Sequence, residues 1–236
     1  MAELLKIGDP FRVGMLVYPG ITQLDLTGPQ EVLSKVQGVE IHLYWKNLDL
    51  LKSNSGLMLV PTCTFEDESP IDLLFVPGGG PGQVELMADD QVLGFLRRSA
   101  ARARFVTSVC TGSLLLGAAG LLHGYLATTH WAAMDDLSVL GATPVHERVV
   151  TDRNRITGAG VTAGIDFALT VIAQLWGESV ARTIQLAMEY DPQPPFASGS
   201  PRTANPADLE RLRERMRPFV EQRLKASQTA AAKLYL

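Results

Sequence analysis

Short runs of β-branched and aromatic residues alternate along most of this chain with stretches of helical period, and that alternation restricts the fold more than any other feature. The strand candidates are Arg12–Tyr18, Ile41–Trp45, Ile71–Val76, Arg104–Val109 and Arg155–Gly158. Pro29–Val36, Asp90–Ala101, Gly112–Ala119, Trp131–Leu140 and Ala163–Leu175 instead space apolar residues at i, i+3 and i+4. Strands separated by helices make βαβ units, so the expected class is α/β: a mainly parallel sheet with helices on both faces. Met58–Val60 and Val145–Val150 are expected to form hairpins or an edge.

Composition narrows the function. With 236 residues, 46% of them hydrophobic, the chain is long enough to bury a sizeable core and too apolar to be disordered. Lys and Arg number 21 against 25 Asp and Glu, a net charge of −4, which argues against a nucleic-acid partner held by electrostatics. Two cysteines, Cys63 and Cys110, are too few for a disulfide framework and fit a reducing compartment. Met1–Pro19 carries Glu3, Lys6, Asp9 and Arg12 among its apolar residues and so lacks a signal-peptide core. The apolar runs Leu114–Leu122 and Val161–Trp176 are too short, or are broken by Asp166 and Gln174, to cross a bilayer, which takes about 20 residues. A cytoplasmic protein with no membrane partner is expected.

Tyr190 opens a Pro/Gly-rich segment running to Pro201 that can continue neither a helix nor a central strand. It divides an α/β domain over 1–201 from a helical extension over 202–236. That helix starts at Asn205-Pro206, and Leu209, Leu212, Met216 and Phe219 give it an apolar stripe for docking on its own domain or on a second subunit. Glu210, Glu214 and Glu221 on the same helix argue against DNA.

Chemistry concentrates at strand ends. Cys110 follows the β-rich run Val106–Val109 and precedes the helical stretch opening at Gly112, the arrangement of a nucleophile elbow. Gly112, lacking a Cβ, lets the helix begin close to the strand, and the first-turn N–H groups are expected to depress the thiol pKa. The competing reading is a small buried hydrophobe, the usual state of a free cysteine, and Cys63 in its Thr-Cys-Thr setting is taken as structural. After the apolar strand ending at Val76 comes Pro77-Gly78-Gly79-Gly80-Pro81-Gly82, where backbone N–H groups, Gly79 among them, can converge on developing negative charge. No Gly-Lys-Ser/Thr follows, so this is not a phosphate loop. Asp25, between the first strand and the next helix, either satisfies local backbone donors or, if held near Cys110, has its pKa raised and delivers a proton. His130 is either the base of a Cys–His pair or a packed residue at a helix start with Thr129 as N-cap, the second being preferred. Cys63, Cys110 and His130 lack zinc-ligand spacing, so no metal is assigned.

Together, Asp25-Leu26-Thr27-Gly28-Pro29, Cys110-Thr111-Gly112, Ala127–Trp131 and Ala159–Asp166 resemble the ThiJ/PfpI superfamily over about Phe11 to Glu189. Within it the chain is similar to isonitrile hydratases, and Gln185–Phe196 resembles their ending in particular. The resemblance implies a flavodoxin-like sandwich, a homodimer and no cofactor, with Cys110 as nucleophile, Asp25 as its acidic partner and Thr111 as a neighbouring hydroxyl. The expected reaction is hydration of a small-molecule isonitrile to an N-substituted formamide through a cysteine thioimidate. Redox sensing through an oxidisable Cys110, or a glyoxalase- or deglycase-type activity, is the alternative. Related intracellular proteases place His after the cysteine, where Thr111 stands here, and the Glu common in glyoxalase-like members is here Asp25. AraC-type regulators also share these runs, but only 46 residues follow Tyr190, against the typical domain size of about 100 that their DNA-binding part needs.

Overall fold

The computed structural model describes residues 4–234. Its strands are β1 (Phe11–Leu16), β2 (Val39–Trp45), β3 (Leu51–Lys52), β4 (Met58–Leu59), β5 (Cys63–Thr64), β6 (Leu73–Val76), β7 (Phe105–Val109), β8 (Leu126–Ala127), β9 (Thr143–Pro144), β10 (Val149–Asp152) and β11 (Arg155–Gly158). The helices are α1 (Gln23–Leu33), α2 (Pro81–Leu86), α3 (Asp90–Arg102), α4 (Gly112–Ala118), α5 (Met134–Val139), α6 (Ala163–Trp176), α7 (Glu178–Ala187) and α8 (Pro206–Leu234). A 3-10 turn, Trp131–Ala133, leads into α5.

Seven strands form one sheet in the order β10-β11-β7-β6-β1-β2-β5. All its pairings are parallel except β10 with β11, an antiparallel edge that accounts for the Val145–Val150 expectation. The other expected hairpin is β3 with β4. From β1 the chain first winds outward to β2 and β5, then returns to the far side of β1 for β6 and β7. The reversal opens a crevice beyond the carboxyl ends of β1 and β6, where an open parallel sheet binds ligands.

Both faces of the sheet are covered. Along β6 the side chains alternate: Phe75 meets Phe167 of α6 with ring centroids 5.6 Å apart, so Leu74 and Val76 face the opposite layer. α1, α6 and α7 pack as one layer, while α2, α3 and α4, backed by α5 and α8, make the other. The strands between them, β1, β6 and β7, are almost entirely buried.

Two helices depart from the sequence expectation. α1 begins six residues before Pro29, so Asp25 lies in its first turn rather than in a preceding loop. Pro29 stands inside α1 with its ring against Gly164 of α6, where a Cβ would be 3.0 Å from Pro29 Cδ. The Trp131–Leu140 stretch splits into the 3-10 turn and α5. At the other end of the chain, α8 docks on α4 and α5.

Candidate active site

Three strand ends bring the chemistry together. The segment after β1 is fastened to the segment after β6 by an antiparallel bridge between Ile21 and Gly79 and by Thr22 N–H donating to Gly78 O at 3.0 Å. This sets the first turn of α1 over the glycine loop. Gly78 N–H then donates to Asp25 Oδ2 at 3.0 Å, and a Cβ at Gly78 would stand 2.7 Å from both that oxygen and Thr111 N. Gly79 and Thr111 are paired twice over: Gly79 N–H donates to the hydroxyl, and the hydroxyl to Gly79 O, each at 3.1 Å. Gly79 N–H is thus already engaged within the chain.

Cys110 sits between β7 and α4 with φ of 52°, a left-handed conformation costing a residue with a Cβ about 1 kcal/mol or more. Its N–H donates to Gly158 O and Ala159 O, and its carbonyl accepts from Thr129 Oγ1 at 2.8 Å and Ser113 Oγ at 3.0 Å. These bonds hold the strained turn. Gly112 is required for a packing reason, since a Cβ there would overlap the Val76 carbonyl oxygen and push α4 away from β6.

The thiol and the carboxyl face one another in a nearly dry setting: Cys110 is 6% exposed and Asp25 0%. Burial raises Asp25 from its ordinary 3.8 to about 7, while the Cys110 thiol and Gly78 N–H partly hold it down. Asp25 Oδ1 has no nitrogen or oxygen partner within the chain. Burial also pushes the Cys110 thiol well above its ordinary range, Asp25 adds to the rise, and the Thr111 N–H and hydroxyl only partly oppose it. The depressed thiol pKa expected from the sequence is therefore corrected. α4 has only seven residues, and the cost of taking a thiolate out of water exceeds what its first N–H groups return.

His130 lies beside this centre, its ring on the segment that accepts the Cys110 N–H. Its Nδ1 accepts from Ala132 N–H at 3.2 Å, so His130 itself caps the 3-10 turn, while Thr129 supports the Cys110 carbonyl instead of acting as the N-cap. The His130 ring packs on Gly160, where a Cβ would stand 3.1 Å from Cδ2. Burial, with Arg223 nearby, lowers its pKa to about 4, and the imidazole is neutral at pH 7.

Sequence reasoning missed Tyr18. Buried at the end of the first strand candidate, it donates its hydroxyl to Pro77 O at 2.9 Å, and burial plus the Asp25 and Cys110 charges push its pKa up. Its position at a strand's carboxyl end was the available signal. Gln83 of α2 is also fully buried, with neither amide atom paired inside the chain. Cys63 stands apart at the sheet edge, 3.7 Å from His42 Nδ1. Among the described residues no group of three or more His, Cys, Asp or Glu is gathered to hold a metal, and no helix is long and apolar enough to cross a membrane.

Comparison with known proteins sets this geometry in context. Residues 11–174 match the sequence model of the DJ-1/PfpI family. The chain is 53% identical over 225 residues to the isonitrile hydratase of Pseudomonas putida, covering 95% of this chain and 98% of that one. Its fold is similar to the crystal structure of a ThiJ/PfpI family protein from Pseudomonas syringae, with TM-score 0.92, 44% identity, and coverage of 94% of this chain and 92% of that one. The transcriptional regulator GbdR of Pseudomonas aeruginosa is 28% identical over 78% of this chain, but the match spans only 52% of the regulator.

Proposed function

The chain belongs to the DJ-1/PfpI family, and on that premise we propose that it is an isonitrile hydratase, adding water to R–N≡C to give R–NH–CHO through a thioimidate on Cys110. The reading rests on one observation: a buried thiol meets a buried carboxyl of raised pKa, in a chain more than half identical along its length to an isonitrile hydratase. The alternative of a redox sensor asks for a thiolate at rest. Burial works against it.

The resting pair sets the mechanism. Above pH 7 Asp25 is a carboxylate facing a neutral thiol. As substrate enters, Asp25 takes the thiol proton, sulfur attacks the terminal carbon, and the same proton passes from Asp25 to that carbon, leaving R–N=CH–S–Cys110. No thiolate need persist in the dry site, because its charge is spent as it forms. Asp25, a carboxylate again, then draws a proton from water as the water attacks the thioimidate carbon, and this proton goes to nitrogen. Collapse of the adduct expels formamide and returns the proton of its hydroxyl to sulfur. Thr111 fits a supporting role, its N–H directed at the sulfur and its hydroxyl held by Gly79. Gly79 and Gly112 belong to this proposal as the backbone that seats Thr111 and α4.

The same reading includes a homodimer acting in the cytoplasm without a cofactor; sedimentation tests the dimer. Incubation with an alkyl isonitrile, with the formamide followed by mass spectrometry, tests the reaction. Turnover lost in Cys110→Ala supports it, and no formamide from several isonitriles overturns it.

A further inference from the structure

Tyr18 stands two residues past the end of β1, fully buried, with its ring tilted against Trp45 at 6.4 Å between centroids. A buried tyrosine needs a partner for its hydroxyl, and here the acceptor is the Pro77 carbonyl at 2.9 Å. The peptide that begins with this carbonyl ends with the Gly78 N–H, which donates to Asp25 Oδ2 at 3.0 Å. We propose that Tyr18 is a positioning residue for the reaction: acting through the Pro77–Gly78 peptide, its hydroxyl fixes and strengthens the N–H bond that the Asp25 carboxylate accepts. As a role in the reaction this rests on the hydratase reading, whereas the hold of Tyr18 on Asp25 does not.

The coupling follows from the peptide itself. A trans peptide is a rigid plane with its C=O and N–H on opposite edges. A donor on the Pro77 oxygen therefore sets the tilt of the Gly78 N–H on the other edge. It also draws electron density toward that oxygen and makes the N–H a better donor, the cooperative strengthening expected along a chain of hydrogen bonds. Phenol, peptide and carboxylate form such a chain, in that order. The next peptide is held separately, with Gly78 O accepting from Thr22 N–H at 3.0 Å. Removing the phenol takes away the side-chain anchor of the Pro77 edge alone.

The glycine loop is shaped around both ends of this chain. A Cβ at Gly79 would stand 2.9 Å from the Tyr18 hydroxyl and 3.0 Å from its ring, and a Cβ at Gly78 would stand 2.7 Å from Asp25 Oδ2. Gly79 thus makes room for the phenol and Gly78 for the carboxylate. A tyrosine that only filled the core could bond any nearby carbonyl; this one bonds the carbonyl whose own peptide serves Asp25.

The ionisable groups facing Asp25 are the Cys110 thiol from the elbow and the Tyr18 phenol from the end of β1. α6, packed on α1, presents Gly164 and Ile165 to it, and the Asp166 carboxylate of α6 is taken up by Arg148 and Tyr190. From the β3–β4 hairpin, Asn54 reaches the start of α1 through the Thr22 hydroxyl. Burial pushes the Tyr18 phenol well up, so it stays a hydrogen-bond donor through the whole range in which Asp25 titrates.

The test removes the phenol's donor in one variant and strengthens it in another. In Tyr18→Phe the inflection of the kcat/KM pH profile should rise by about half a pH unit, a share of the roughly one unit that each N–H on a carboxylate is worth. Tyr18→3-fluorotyrosine, whose hydroxyl is the stronger donor, should move the inflection below the wild-type value. A residue that only packs would change the height of the profile and leave its inflection in place. Infrared titration of the Asp25 carboxyl band, assigned by its loss in Asp25→Asn, should show the same two opposite shifts without any turnover. If Tyr18→Phe fails to fold, the fluorotyrosine variant decides. A carboxyl band that titrates at the wild-type pH in the folded variants overturns the role of Tyr18 and leaves the hydratase reading intact. Failure of the wild-type protein to hydrate isonitriles overturns that reading instead, while the infrared shifts still decide whether Tyr18 acts on Asp25.

Discussion

Asp25 and Asp136 are both fully enclosed carboxylates, at 0% and 1% exposure, yet their surroundings differ in kind. Asp136 receives two guanidinium N–H bonds from Arg223 and one hydroxyl from Ser227, so both its oxygens are occupied. Asp25 has a single N–H on Oδ2, nothing but a thiol in addition, and an Oδ1 without a nitrogen or oxygen partner. Burial alone does not make a carboxyl reactive. Donors on both oxygens tie Asp136 into a structural brace, while a shortage of them leaves Asp25 a group that gains and loses a proton near neutrality.

The largest expected effect lies with the partner only Asp25 has. Cys110→Ala should abolish isonitrile turnover with the fold intact by circular dichroism; retained activity would strip the Asp25 environment of its catalytic meaning.

The two carboxylates can next be set against each other. Asp25→Asn is expected to cost about 10²- to 10⁴-fold in kcat, the usual worth of a positioned acid–base group. Its stability should move the other way. A carboxyl raised from 3.8 to about 7 keeps its proton in the folded state after the unfolded chain has lost it, so wild-type stability falls as pH rises between those values, by up to roughly 4 kcal/mol. Asp25→Asn should flatten that slope and be the more stable protein at pH 8 in denaturant titrations. Asp136→Ala should instead lose about 3–5 kcal/mol, because it strands a buried guanidinium. Equal stability changes at the two sites would break the contrast.

A pH profile sharpens the same point. Wild-type kcat/KM is expected to climb through an apparent pKa near 7 as Asp25 ionises, while His130, with its pKa lowered to about 4, contributes no inflection there. The smallest effect belongs to His130→Asn, which should leave that inflection in place; its disappearance would make His130 part of the chemistry.

Much of this was legible in the sequence because it is local. The βαβ alternation, the strand ending at Val109 and the helix opening at Gly112 all follow from residues within a few positions of one another. Contacts across the chain left no such trace. Gly78 and Asp25 are 53 residues apart and Arg223 and Asp136 are 87 apart, separations on which hydrophobic periodicity is silent. Pro29 suggests a helix start by its missing N–H, yet it stands mid-helix with its ring against Gly164 of α6, a contact no local pattern announces. The direction of the Cys110 shift was misjudged for a related reason: a helix terminus can be seen in a sequence, whereas the dryness around it is a property of the assembled layers.

The sheet borders carry a consequence for how this molecule behaves in a crowded solution. One outer strand, β5, offers two residues and the other, β10, offers four. Two molecules meeting border to border would gain very few main-chain hydrogen bonds, too few to template ladder growth. Borders this short therefore disfavour filamentous aggregation by strand addition in the folded state.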